Sequence, residues 1–467
     1  MPFWRSSSVL LILCALTLSQ AFLQEGWPDN YQLTDGERFD FIVVGSGSAG
    51  SVLAARLSEV AHFRVLLIES GGDPPITSVV PGLLITLQGS KYDWNYQAQF
   101  DEGVGQAHPG RILPYHRGKV LGGSSSTNFL IYARGKPQDY EEWNRIAPGW
   151  DWNSVLYYFK KMENMSEETV MMNPRNAYLH STEGPVKVSR PVTLASTAAI
   201  DNTRLECYEE MGIERVLEIN GPEIGGAARP HFTIYGGRRS STAEAYLRPA
   251  KDRPNLKVAK FSTVTKILID PHTLRAYGGT ANVFNEIDYV QLVLLHPLSR
   301  GQVKLRSTDP LDDPIIDLGY YRNAYDLKVA AEGVKYINTL INTTYFRKVQ
   351  GEIPRLSVTG CEKIAWGSDE YWECYARNTV ASLSHAVGTC SMGPDAVVDE
   401  RLRVHHVAGL RVVDASVIPL IPSGNTNAPV MMIGEKAADM IKADYLEDIV
   451  EYNGKDFKSF AYTNEVW

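Results

Sequence analysis

Phe39-Asp40-Phe41-Ile42-Val43-Val44-Gly45-Ser46-Gly47-Ser48-Ala49-Gly50 is the stretch that decides the fold. FDFIVVG is an apolar run closed by glycine, and it predicts a buried strand. Ser48 to Leu57 follows with small and apolar residues at helical spacing, and Arg64 to Ile68 predicts a second buried strand closed by Glu69. Strand, helix and strand in about thirty residues make a βαβ unit. Within it Gly45, Gly47 and Gly50 form G-x-G-x-x-G between strand and helix. The first glycine permits the tight turn, the second lets main chain approach a pyrophosphate, and the third lets helix and strand pack closely. The helix N-terminus then faces the phosphates with its partial positive charge. Glu69 lies nineteen residues after Gly50, where an acid can hydrogen-bond a ribose diol. The reading is dinucleotide binding, with FAD and NAD both open at this point.

Around that unit the chain is ordinary globular material: 467 residues, 44% hydrophobic and 21% charged, enough for two or three domains. A net charge of −8 argues against nucleic acid or anionic lipid as partner. Residues 1–21 read as a cleaved secretory signal: Arg5, then the apolar run Val9–Leu18, too short to span a bilayer, then Ser19-Gln20-Ala21. An N-terminal buried or interfacial helix is the alternative. No later run is long and apolar enough to span a membrane, so the expectation is a secreted, soluble, extracellular protein. Asn164-Met165-Ser166 and Asn342-Thr343-Thr344 are then glycosylation acceptors. Cys361 and Cys374 are near enough in sequence for one bridge, with two free buried thiols as the alternative. No spacing suggests a metal site.

Gly118-Lys119-Val120-Leu121-Gly122-Gly123-Ser124-Ser125-Ser126-Thr127-Asn128 is a second glycine-serine stretch. It lets main chain pass against a planar ring or a phosphate and donate to it. Phe129 to Tyr132 continues it as an ordered apolar stretch. His385-Ala386-Val387-Gly388-Thr389-Cys390-Ser391-Met392-Gly393 sets a lone histidine before a glycine turn; taken alone such a histidine is more often structural. Leu410 to Asp414 reads as a short strand ending in Asp414-Ala415-Ser416. Asn427-Ala428-Pro429 opens a last helix, with Asn427 suited to its cap and Pro429 to its first turn. Val430, Ile433, Ala437, Met440 and Ile441 mark one face of that helix.

These stretches together resemble the glucose-methanol-choline (GMC) family of FAD oxidoreductases, nearest to its secreted animal, glucose-dehydrogenase-like branch. The motifs are GSGSAG with Glu69, GKVLGGSSSTN, HAVGTCSMG, and RVVDASVIP followed by NAP and a helix. Thr127 replaces the family's usual aliphatic residue. The resemblance implies an α/β fold. A Rossmann-like FAD domain would be built from both chain ends, 38–150 and 385–445 with part of 235–280. An α+β substrate domain with an antiparallel sheet would come from 151–235 and 290–384. It implies that Gly45, Gly47, Gly50 and Glu69 hold the ADP half of FAD, that Val120, Asn128, Phe129, Leu130 and Ile131 line the flavin half, that Val264 flanks adenine, and that Asp414, Ala415 and Ala428 touch pyrophosphate or ring. His385 matches the catalytic histidine and Asn427 the second polar residue. An alcohol is a very weak acid, so hydride leaves its carbon readily only as the hydroxyl loses its proton, and a neutral imidazole suits that task. The expected reaction is oxidation of a CH–OH group of an alcohol or sugar with hydride passing to flavin N5, the electrons then going to a quinone-like acceptor or oxygen. The start of the last helix would steady the negative charge left on the ring.

One departure is large. The family's second signature, a glycine-alanine-x-x-serine-proline pattern with its preceding strand, has no counterpart between Tyr277-Gly278-Gly279 and Tyr289-Val290-Gln291-Leu292. The missing strand belongs between the first strand and Leu410–Asp414. The expectation is that Tyr289–Leu295 takes its place or that the place stays empty. The second possibility makes an inactive or partly folded secreted relative the alternative function.

Overall fold

The strands that position the site are β1 (Phe41–Val44), β2 (Val65–Ile68), β3 (Tyr96–Gln99), β4 (Ile112–Tyr115), β5 (Leu256–Ala259), β6 (Gln302–Lys304) and β7 (Ile315–Asp317). The helices are α1 (Gly50–Leu57), α2 (Trp152–Met162), α3 (Ala324–Asn338), α4 (Asp369–Thr379) and α5 (Asn427–Tyr452). The computed structural model describes residues 26–191, 195–221, 225–265, 292–348, 353 and 358–452. The segment 1–21, expected to be a cleaved leader, therefore lies outside the described residues. Among those described, no helix is long and apolar enough to cross a membrane.

β1 and β2 run parallel, Phe41 opposite Val65 and Val44 opposite Ile68, with α1 as the crossover. β5 adds to the other side of β2, Leu256 opposite Val65, giving the order β1-β2-β5. α5 packs across α1 and α2. Its Glu435 is gripped by Arg56 of α1 through Nε and Nη2 (2.9 and 2.8 Å), and Lys161 of α2 donates to Asp439 at 2.7 Å. Val430, Ile433, Ala437 and Ile441 of α5 are buried as their spacing predicts, and Met431, Met432 and Ala438 are buried as well. The helix is wrapped on more than one face.

The second sheet has the order β6-β7-β3-β4. β6 pairs antiparallel with β7 and β3 with β4, but β7 and β3 run parallel, so the sheet is mixed rather than antiparallel. β3 and β7 are separated by about two hundred residues, so no hairpin fixes their relative direction. β3 and β4 fall in the Gly72–Gly110 excursion and just after it, inside the segment 38–150 expected in the nucleotide domain, yet they pair with a strand from 290–384. Cys361 is bridged to Cys374 of α4 with 5.9 Å between Cα atoms, while Cys207 and Cys390 are free.

Two expectations change, and a third is answered only over the described residues. FDFIVVG forms β1, but within the strand only Val43 is buried, and Ile42 is 42% exposed. No described strand pairs with β1 on the side away from β2. Leu410–Asp414 is not a strand; it makes a single isolated bridge, Arg411 to Arg403, and no described strand lies beside it to extend the pairing. Of Tyr289–Leu295, Tyr289 to Gln291 lie outside the described residues. Leu292 to Leu295 are not a strand and do not pair with β1, and Leu292 abuts Gly333 of α3.

Candidate active site

The first glycine loop is built as its spacing demands. Gly45 has φ +86°, a left-handed conformation, and its N–H donates to Ile68 O at 2.8 Å. A Cβ on Gly50 would lie 2.0 Å from Gly45 O, so only glycine lets α1 start there. A Cβ on Gly47 would meet nothing within 4 Å. That open cradle at the N-terminus of α1 fits a pyrophosphate. Glu69 directly follows β2 and is buried; its Oε2 accepts from Ser46 N and Oγ (2.9 and 2.7 Å) and its Oε1 from Gly71 N (2.8 Å). Burial raises its pKa, and the three donors oppose that rise.

The second loop lies directly against the first: a Cβ on Gly123 would sit 2.7 Å from Gly47 Cα. Arg239, itself buried, holds the loop from behind, donating through Nη1 to Asn128 O and Oδ1 (2.8 and 2.7 Å) and through Nε to Ser78 O (2.8 Å). Asn128 Oδ1 also accepts Leu130 N at 3.0 Å, which fits the left-handed φ of +67° at Leu130. One cavity of about 3720 Å³ connects Glu69, Val264, the two loops, Asp414, Ala415, His385 and Asn427. That is several times an ordinary ligand pocket, because it takes in the open side of β1, from Phe39 to Val44. Asn128, Phe129, Leu130 and Ile131 line it; Val120 and Ala428 are fully buried and do not. Asp414 Oδ1 accepts from Ser416 N at 2.8 Å and caps the short turn at 415–417.

At the far end His385 is held through both ring nitrogens. Asn425 Nδ2 lies 2.8 Å from Nε2 and Thr426 Oγ1 lies 3.0 Å from Nδ1. With the amide donating, Nε2 is the acceptor and Nδ1–H donates to Thr426, which is a neutral imidazole. Burial first, and the Arg117 charge second, push its pKa down to about 4. The helix start is one residue earlier than expected: Val430 N donates to Thr426 O at 3.0 Å, so Thr426 caps α5 and Asn427 is its first residue. Asn427 Oδ1 accepts from Ser48 Oγ at 2.7 Å, tying the start of α5 to the first glycine loop. The sequence reading missed Asn425, Thr426, Ser48 and Arg117. The polar run Ser423-Gly424-Asn425-Thr426-Asn427 before a helix was the available signal for the first two.

A parallel βαβ unit with a phosphate cradle, joined by one cavity to a neutral histidine, defines a flavin-type oxidoreductase. Two family profiles, both described as GMC oxidoreductase, match residues 39–290 and 297–434. The ecdysone oxidase of Bombyx mori is 31% identical over 91% of this chain and 85% of that protein. The glucose dehydrogenase (FAD, quinone) of Drosophila melanogaster is 30% identical over 86% of this chain and 87% of that protein. Among solved structures, pyridoxine 4-oxidase superposes with TM-score 0.74 at 23% identity, covering 87% of this chain and 99% of that one. A formate oxidase gives 0.75 at 20%, covering 89% and 100%. The chain belongs to the GMC oxidoreductase family. The silkworm alignment runs over 577 positions against 467 residues, so at least 110 positions (577 minus 467) face no residue of this chain.

Proposed function

We propose that this chain oxidises a CH–OH group with FAD as cofactor, and that the observation carrying this reading is the neutral His385 facing the cavity that also contains the Gly45–Gly50 cradle. FAD, when bound, takes the hydride at N5. Gly45, Gly47, Gly50 and Glu69 would hold its ADP half, with Val264 toward adenine. Asn128 to Ile131 would line the flavin half, with Asp414 and Ala415 beside the pyrophosphate or ring. Val120 and Ala428 could contribute only main chain, being buried side chains outside the cavity wall. His385 offers the Nε2 lone pair to the substrate hydroxyl once Asn425 Nδ2 swings aside. Thr426 fixes the opposite nitrogen and thereby the tautomer. The positive end of α5 disfavours a charged ring in the resting state, so the base stays ready to accept a proton. Asn427 is proposed to orient the hydroxyl from the same helix start.

The substrate class is an alcohol or a sugar, and the electron acceptor a quinone-like molecule or oxygen. The FAD domain is proposed at 38–150 and 385–445 with part of 235–280, less the β3–β4 hairpin. That hairpin is counted with the substrate domain of 151–235 and 290–384. Secretion is proposed from the leader at 1–21, the acceptors at Asn164 and Asn342, and a disulfide that suits an oxidising compartment.

Absorbance of the purified protein at the flavin bands, then anaerobic bleaching by a panel of alcohols and sugars, tests the reading. His385→Ala should keep flavin and lose roughly 10²–10⁴-fold in the rate of bleaching. Undiminished bleaching at saturating alcohol makes His385 structural. A second reading, a non-catalytic relative, is favoured by the unpaired side of β1; a folded protein without flavin absorbance supports it.

A further inference from the structure

His385 is seated from two sides, and the second side has no part in the mechanism above. Immediately before it, Ser384 has φ +58°, a left-handed conformation that non-glycine residues adopt only when their surroundings impose it. The imposing contacts are visible. Ser384 N donates to Ser382 Oγ at 2.9 Å, and Ser384 O accepts Arg117 Nη1 at 3.0 Å. Arg117 in turn has its backbone anchored: its N–H donates to Asp93 Oδ1 at 3.3 Å and its carbonyl accepts Trp94 N at 3.0 Å. Its guanidinium carbon lies 5.6 Å from the Tyr115 ring centroid. Asp93 is fixed by Gly89 N and Asn95 N (2.8 and 2.9 Å) and by a buried 2.6 Å bond to His116 Nδ1. A rigid loop just after β4 therefore aims one cation at the turn that presents His385.

We infer that Arg117 is a positioning residue for His385: it holds the strained Ser384 turn through its carbonyl and plants a cation at the base of that turn, so that the ring stays aimed into the cavity. Asn425 and Thr426, which bond the ring from the start of α5, are uncharged; burial first and the Arg117 charge second oppose protonation of the ring. The inference deepens the proposed function, since it assumes that His385 matters as a base. Its test does not need turnover.

Carbethoxylation of His385, followed by peptide mass spectrometry between pH 4 and 8, reads the neutral fraction of that ring directly. In the unaltered protein the half-reactive pH should lie below 5, and a value near the ordinary 6.5 overturns the inference without any variant. Arg117→Gln keeps a donor for Ser384 O and removes the charge; its half-reactive pH should rise by about one unit, cutting reactivity at pH 4 about fivefold. Arg117→Lys keeps the charge and should titrate close to the unaltered protein. An Arg117→Gln profile superimposable on the original, with native near-UV circular dichroism, overturns the inference, and so does a Lys variant that shifts as far as the Gln variant. If His385→Ala still bleaches flavin while these titrations behave as expected, the functional reading fails and the positioning survives.

Discussion

Two regions of the molecule are built to opposite standards, and only the second lines the cavity. On one side lies a buried polar knot. Arg134 pairs with Glu163 at 2.6 Å, His180 bridges Glu163 and Glu218 at 3.0 and 3.1 Å, and all four side chains are almost wholly buried. Arg134 Nη1 also reaches Leu179 O at 2.7 Å, and Arg134 N donates to Asn220 Oδ1 at 2.8 Å. On the other side β1 has, among the described strands, one neighbour, β2, with Ile42 open to the cavity and the residues that should continue the sheet, 410–414, left as an irregular segment. The knot shows that buried charge is tolerated where each group brings its own partner. The edge shows a complete nucleotide motif on a strand that no described strand covers on its second side.

The sharpest way to break the comparison is to unpair the knot. Glu163→Ala leaves Arg134 and His180 buried without their shared acid and should cost about 3–5 kcal/mol. Chemical denaturation of both proteins measures it, and a loss below 1 kcal/mol would show the knot to be wetter than it looks.

The knot should next reveal itself through pH. Burial and the Arg134 charge work against a charged His180, but its bonds to Glu163 and Glu218 outweigh them, so its pKa is raised above 6.5. Its contribution is therefore complete below 6.5 and is lost as pH rises through the raised folded value. Glu163 and Glu218 are lowered below 4.5, Arg134 and His180 overcoming the burial penalty, so their contribution is present above 4.5 and is lost as pH falls through the lowered values. Melting temperature against pH should fall on both flanks, and His180→Gln should flatten the alkaline flank and also weaken the acid one, since His180 helps to lower both Glu163 and Glu218. An unchanged alkaline flank in that variant assigns the loss to other groups.

How far this was legible in the sequence follows the same division. The βαβ unit, Glu69 and the two glycine loops were readable because each signal is local: a strand run, a turn that only glycine allows, an acid at fixed distance. β3 was passed over as part of a polar excursion, although Tyr96 and Ala98 face in while Gln97 and Gln99 face out, the alternation of a half-buried strand. Leu410–Asp414 was misread because a strand exists only by virtue of its neighbour. The knot was invisible: residues 134, 163, 180 and 218 are scattered in sequence, and each alone resembles a surface charge. The sequence pattern puts the cap at Asn427, one residue too late, an offset of the size that helix ends commonly carry.

A smaller effect tests the cradle. Glu69→Ala removes an acid that orders Ser46 and Gly71 and, on the proposed function, holds the ribose. Retained flavin after dialysis should fall by about tenfold, the weight of one charge-assisted hydrogen bond of about 1.4 kcal/mol, with the fold kept. Flavin content equal to that of the unaltered protein removes Glu69 from the ribose.

The smallest expected change is the most discriminating. Ile42 and Val43 are neighbours in one strand of what should be a sheet covered on both faces, where lysine at either position would cost several kcal/mol. Here Val43 is 7% exposed and Ile42 is 42% exposed. Val43→Lys buries an unpaired cation against α1 and should unfold the lobe or come close to it. Ile42→Lys places its ammonium in the open cavity beside β1 and should change stability by no more than about 0.5 kcal/mol. It should also lower aggregation, since a charge on an unpaired edge discourages strand addition by another chain. Urea denaturation and light scattering on the two variants read both effects. If Ile42→Lys proves as costly as Val43→Lys, that face of β1 is covered in solution, and the unfinished sheet is finished by something other than the strands described.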